Sequence, residues 1–582
     1  MRNTPACRWL WYRRTTIRQY FDKYFRGKIE FNNLADFLSG TVDGGFQYGG
    51  NSLRHTAENS EGLYLQDTFR VNSRLTLNYG LRWDYFGVVS EKNNLFSNAT
   101  VANAATGALV LTQTGQPGLG SLYHPDRKNF APRLSFAWDT TGKGTTVVRA
   151  GWGIFYDAFS QDTFLGHLPY PPFYDPGPAY NPVGPAQIVP AGVTGSILPN
   201  QPVFGTPGCS NLECDSFVID PNIRTPYMEN YNLNLQHQLA RQVSLQVAYV
   251  GSQGHRLFRF RDINQPSQAA ITNSDLTSGV ASYGVPRPFP YAAPYFTFYV
   301  MQEESTARSN YNALQSSLRV NGWRGITSIV NYTWSHSQDT ASDVEDFENN
   351  ASQPNDSTRP NAEYGNSNFD VRNRFNWVFG YDLPKHGSSR LINGWGFNST
   401  VTLQSGQPFQ FNYNFEDDFS GSGEGDDRPD VIGPIVYHKR NPLAYVDLSS
   451  FAVPCTVTTV SGSASDCVPG TRHFGTERRN SLVGPDYRQW DMAIYKTTEI
   501  TERLSMQLRA EFFNIVNHPN FASPFLPLFV ADPGVNGFAA SGNREVGVGG
   551  FGLGATGDVG VGNPFLGGGG PRGIQLAAKF TF

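Results

Sequence analysis

Residues Arg572 to Phe582 read RGIQLAAKFTF, and the period of their apolar residues decides the fold. Ile574, Leu576, Ala578, Phe580 and Phe582 fall on one face, and Gly573, Gln575, Ala577, Lys579 and Thr581 on the other. A period of two is that of a strand with one face in an apolar medium and the other in water. The stretch alone leaves open whether the medium is a protein core or a bilayer.

The same period recurs along the chain. Leu75, Leu77, Tyr79, Leu81, Trp83 and Tyr85 alternate with Thr76, Asn78, Gly80, Arg82 and Asp84, after GLYLQDTFR and the short turn VNSR. Leu134, Phe136 and Trp138 run into TTGKG, and Val148, Ala150, Trp152, Ile154 and Tyr156 follow. Further hairpins are read around Ala240–Gln242, NGWRG (Asn321–Gly325) and TTEITER (Thr497–Arg503). The runs Phe375–Tyr381 and Trp395–Leu403 have the pattern but no evident partner. Turns inside hairpins are short, whereas the connections Asp157–Thr225, Arg259–Ser309 and Gln410–Pro485 are long and rich in Pro, Gly, Asn and Asp. Ordinary domains rarely carry such loops, and a β-sandwich has short loops at both ends. An outer-membrane barrel has short turns on the periplasmic side and long loops outside. Aromatic pairs near one end of the strands (Trp83 and Tyr85, Trp152 and Tyr156, Tyr332 and Trp334) suit a membrane–water interface.

Composition agrees. Charged residues make up 16% of the 582, aromatics 14%, and there are 60 glycines and 38 prolines. The mean hydropathy is -0.39, because Asn, Gln, Ser, Thr and Gly dilute the aromatics. No apolar run reaches the roughly 18 residues of a membrane helix, so a membrane protein of this sequence crosses as a closed barrel. The expected fold is therefore all-β, a large antiparallel transmembrane β-barrel. The net charge of -4 and the lack of a basic tract give no sign of a nucleic-acid partner. Arg8, Arg13, Arg14 and Arg18 interrupt any apolar segment near the start, so no signal peptide is read there. Cys209 with Cys214, and Cys455 with Cys467, read as local disulfides of an oxidising compartment, with Cys7 left over.

Several segments, in this order, resemble TonB-dependent receptors of the Oar-like group: NNLADFLSG (Asn32–Gly40), YLQDTFRVNSRLTLNYGLRWDYF (Tyr64–Phe86), AYVGSQGHRL (Ala248–Leu257), YNALQSSL (Tyr311–Leu318), NYTWSHSQD (Asn331–Asp339), LQSGQPF (Leu403–Phe409) and RAEFFNIVNHPNF (Arg509–Phe521). The resemblance implies a barrel of about 22 strands, integral to the bacterial outer membrane. It further implies a surface-bound bulky ligand and transport driven by TonB through a plug. Its partners would be outer-membrane lipid, the barrel-assembly machinery, an unknown extracellular ligand, and the TonB complex through the plug. Residues 28–582 are read as barrel, and residues 1–27 as a truncated or irregular segment or a partial first strand. Plug, TonB contact and leader are expected to lie outside this sequence. The alternative is a non-energised surface adhesin or passive pore on the same barrel. Ile574, Leu576, Phe580 and Phe582 resemble the C-terminal signal recognised for barrel insertion.

No catalytic constellation or cofactor site is read, and an enzyme is not expected. GVGGFG (Gly547–Gly552) matches a dinucleotide fingerprint in letters but lacks the following helix. Glu416, Asp417, Asp418, Glu424, Asp426, Asp427 and Asp430 form an acidic loop without EF-hand spacing, a weak calcium candidate beside the plainer reading of a surface loop. Arg149, Arg509 and Glu511 are placed on the lumen face as solvated wall charges.

Overall fold

Each short turn closes an antiparallel hairpin in a computed structural model of the chain. The structure describes residues 7–19, 28–31, 33–39, 44–48, 53–103, 108–158, 185–187, 216–273, 285–289, 300–342, 353–413, 419–420, 427–439, 445–456, 467–520, 528–530, 547–548 and 572–582. Among these residues the main sheet has 17 strands; three are the short ladders Ser90–Glu91, Ser216–Ile219 and Gly365–Asn366. The other fourteen form the wall in chain order: β1 Cys7–Gln19, β2 Arg54–Arg70, β3 Leu75–Phe86, β4 Asn129–Asp139, β5 Thr146–Tyr156, β6 Tyr227–Ala240, β7 Val243–Asp262, β8 Val300–Trp323, β9 Ile326–Asp339, β10 Asn373–Asp382, β11 Trp395–Gln404, β12 Tyr487–Glu499, β13 Ser505–Phe513 and β14 Gly573–Thr581.

Turn chemistry sets the register. Asn72 Oδ1 accepts from the backbone N–H of Arg74 and Leu75 at 2.8 and 2.9 Å, turning β2 into β3. Asp139 accepts from Thr141, Gly142 and Gly144 at the start of β5, and Gly142 and Gly144 take the positive φ of 70° and 72° that this turn needs. The two unpartnered runs are a hairpin: β10 and β11 pair from Arg374↔Gln404 to Asp382↔Gly396 across a twelve-residue turn too long to read as one.

Directly opposed residues share a face, so the register carries the alternation across the whole wall. One row runs Leu10–Leu63–Trp83–Phe130, and another Leu318–Val330–Trp377–Val401–Trp490. The opposite face holds rows such as Ser317–Asn331–Asn376–Thr402–Gln489. Large apolar side chains on the first face are left open, as with Leu63 and Leu65 at 53% and Leu576 at 79%.

The structure departs from the sequence reading in four places. Within residues 1–27, Cys7–Gln19 is a thirteen-residue wall strand paired with β2 over its length; the arginines interleaved with Leu10 and Tyr12 hide its period. The connection Arg259–Ser309 is shorter than expected, because β7 runs to Asp262 and β8 begins at Val300. Gln410–Pro485 has its own apolar core of Phe411, Phe419, Tyr445, Val446, Phe451, Val453 and Leu482. Residues 87–128, which the sequence did not single out, pack Val89, Phe96, Leu122 and Tyr123 against Ile219 and Ile223 and carry the hairpin Ser97–Asn103/Ala108–Gln113. The three connections leave the wall at the end opposite the short turns.

Candidate functional site: the polar face and its folded cap

On the polar face, β2 to β6 enclose a recess of about 550 Å³. One row across it is Gln66–Gly80–Arg133–Gly153–Asn230, and the next is Asn78–Ser135–Gly151–Asn232. Gly80 and Gly153 flank Arg133 in the row, and its long side chain lies over Gly153. A Cβ on Gly153 would stand 3.1 Å from Arg133 Cγ. The guanidinium of Arg133 sits 4.2 Å from the centroid of the Phe155 ring. Beside it, Arg82 Nε donates to Asp84 Oδ2 at 2.7 Å. The recess thus joins a net positive charge to amide side chains, a lining suited to polar or anionic groups of a bulky molecule rather than to bond-breaking.

Above the wall, loops far apart in sequence interlock. Arg479 Nη1 donates to Asp339 Oδ1 at 2.5 Å and to its carbonyl at 3.0 Å, with both side chains 2% exposed. Arg428 Nη2 meets Glu363 at 2.7 Å, and Asn366 and Asn480 exchange amide bonds at 3.1 and 2.8 Å. On the other side, Asn98 donates to the carbonyls of Leu122 and Ile219 and accepts from the Ile219 N–H, while Arg224 pairs with Asp126 at 2.7 Å. These bonds make a rigid rim. Buried ion pairs specify geometry and cost much when one partner is lost.

The residues singled out in the sequence do not form one cluster. Arg149 lies on the polar face and donates to Gln236 at 2.9 Å, and Arg509 pairs with Glu511 on the same face at 2.7 Å. Cys455 and Cys467 are bonded within the 410–485 core; Cys209 and Cys214 lie outside the described residues, as does most of Gly547–Gly552. Of the acidic loop, Asp427 accepts from Ser420 N–H at 2.8 Å, and Asp430 holds His473 at 2.7 Å and the Thr476 N–H at 3.0 Å. The other five carboxylates are outside the described residues, and among those described no three His, Cys, Asp or Glu side chains converge on a metal position. Ile574, Leu576 and Phe580 are exposed on the apolar face of β14, and Phe582 just after it is 93% exposed. The sequence reading missed Arg82, Arg133 and their glycines. The available signal was glycine at polar-face positions of neighbouring strands.

A family model described as an outer membrane beta barrel domain matches residues 10–543. The chain belongs to that family. It is an integral outer-membrane β-barrel; in such barrels the apolar face is turned to lipid, the polar face to the lumen and the long loops to the outside. Among solved structures, the chain is similar to the siderophore receptor PiuA from Acinetobacter baumannii, at 8% identity and TM-score 0.39, covering 90% of this chain and 44% of that one. It is similar also to the ferripyoverdine receptor of the outer membrane of Pseudomonas aeruginosa, at 10% and 0.38, covering 91% and 39%. A third is the ferric-catecholate import receptor Fiu from K12 E. coli, at 9% and 0.37, covering 99% and 55%. The chain therefore spans from two fifths to just over half the length of these structures. No curated protein matches it.

One rim group of this outer-membrane barrel makes the rim sensitive to pH. Glu477 is fully enclosed below the 410–485 core, accepting from the Phe411 N–H at 3.3 Å and from Ser481 Oγ at 3.1 Å. Burial pushes its carboxyl up from 4.5 to about 8 against the pull of Arg428, so it is protonated at neutral pH. The folded cap keeps a proton that the unfolded chain releases, so stability is full below about pH 4.5 and falls as pH rises through 8. Proteolysis of the cap is expected to speed up from pH 6 to 9. Glu477→Gln, which resembles the protonated carboxyl, is expected to remove that slope and to be cleaved more slowly than wild type at pH 6 and above.

Proposed function

We propose that this barrel is the membrane part of a TonB-dependent receptor of the Oar-like kind, which binds a bulky ligand at its extracellular rim for transport through its lumen. The observation that carries the reading is the rim itself. Loops tied to the wall by buried ion pairs form a preorganised surface, where a passive pore needs only an opening. The ordered segments from Asn32 to Phe521 support the Oar-like assignment. Energised transport requires a plug and a TonB contact, which the reading assigns to sequence accompanying this barrel in the complete receptor. On this reading the barrel binds and conducts, and does no bond chemistry.

The test is transport by the complete receptor in cells with and without active TonB. Cells are offered fluorescently labelled ferric siderophores, oligosaccharides and peptides. Surface binding is expected in both strains and accumulation only with TonB. Accumulation without TonB would identify a passive pore, and binding with no accumulation in either strain an adhesin.

A further inference from the structure

The turn Leu383–Gly394, LPKHGSSRLING, is longer than the other described turns at the periplasmic end, and it folds outward against the wall. Lys496 and Trp395 stand opposite one another on the lipid face, in line with Ile494 and Phe397. Lys496 Nζ donates to the carbonyls of Arg390 at 2.7 Å and Asn393 at 2.5 Å, and Trp395 Nε1 donates to the carbonyl of Leu391 at 2.9 Å. Residues 390–393 are therefore held on the lipid side of the sheet. Asn393 fixes the turn from inside, accepting from the His386 N–H at 2.6 Å and donating to the Gly387 carbonyl at 2.9 Å. Gly394 closes it at φ +82°, where a Cβ would strike the Thr497 carbonyl. The result leaves Leu391 84% and Ile392 61% exposed, beside Trp395.

Lys385 and Arg390 are exposed on the same turn, and Arg324 of the neighbouring turn lies over the Trp323 ring at 5.6 Å. Leu383–Gly394 contains no carboxylate; Glu499 and Glu502 belong to the next turn, and Asp382 accepts from Tyr495 OH at 2.6 Å on the lumen side. Apolar tips, an indole and unpaired cations at one level match the depth at which acyl chains give way to phosphates. We propose that this turn is a lipid-binding foot. Leu391 and Ile392 enter the periplasmic leaflet, and Lys385 and Arg390 hold the phosphate of an anionic phospholipid. The inference rests on the outer-membrane placement and is independent of what the rim binds.

The test titrates delipidated, detergent-solubilised full chain with phosphatidylglycerol or phosphatidylcholine and counts bound lipids by native mass spectrometry. The wild type is expected to prefer phosphatidylglycerol by fivefold or more. K385S/R390S is expected to lose that preference and keep phosphatidylcholine binding. L391S/I392S is expected to weaken both lipids severalfold, with the resistance of the folded barrel to SDS unchanged. Soluble glycerol phosphate is expected not to compete. Equal binding of both lipids by the wild type, or a preference that survives K385S/R390S, would overturn the proposal and leave the turn to a periplasmic protein. Competition by glycerol phosphate at lipid-like concentration would equally overturn it, because the phosphate alone would then suffice.

Discussion

Arg479→Leu is expected to release the extracellular cap from the wall, at a cost of about 3–5 kcal/mol. Arg479 joins the 410–485 body to the end of β9: it holds the Asp339 carboxylate and carbonyl, and its other nitrogen donates to Ser342 Oγ at 2.5 Å. Without it, Asp339 keeps only the Ser342 hydroxyl at 3.0 Å for a charge that is 1% exposed. Desolvation then acts against an unpaired carboxylate, the expensive half of a broken buried pair. The contact is also steric, since a Cβ on Gly365 would lie 2.6 Å from the Arg479 carbonyl. Cleavage within the cap under conditions where opening and closing are fast should accelerate by a hundredfold or more. Adding Asp339→Asn removes the stranded charge and is expected to recover much of the loss. If Arg479→Leu alone leaves the cleavage rate within twofold of wild type, the pair does not hold the cap. Barrel resistance to unfolding should change far less, because the wall ladders below β9 are untouched.

Val330→Arg is expected to destabilise the wall by about 2–4 kcal/mol, and Asn331→Arg by about 0–1 kcal/mol. The two residues are adjacent and project to opposite faces. Val330 lies between Leu318 and Trp377 in the apolar row, and Asn331 between Ser317 and Asn376 in the polar one. A guanidinium at 330 must enter hydrocarbon or snorkel, whereas one at 331 remains in an aqueous lumen. Denaturant titration of the barrel in lipid vesicles measures both. Equal costs, or the reverse order, would mean that the faces have been assigned the wrong way round.

These two predictions draw on different sources. The face of Val330 was legible in the chain, because Ile326, Val330, Tyr332 and Trp334 already carry the period of β9. The hairpin of β10 and β11 was half legible: both strands showed their pattern, but a twelve-residue turn gave no local sign that they pair. β1 was hidden because arginine at positions 8, 14 and 18 occupies the alternating set that elsewhere is apolar. The recess was invisible as a site. Gly80 sits in one hairpin and Arg133 and Gly153 in the next, and only the register places them in one row.

The period of two, the short turns at one end and the long connections at the other are properties of neighbouring residues, and they determined the all-β barrel, its lipid face and its lumen face from sequence alone. The cap is another matter. Arg479 and Asp339 are 140 residues apart, and Asn98 and Ile219 are 121 apart. A buried pair carries no period and its members look like any surface charge in a polar loop, so only the closed tertiary contacts decide that the rim is folded.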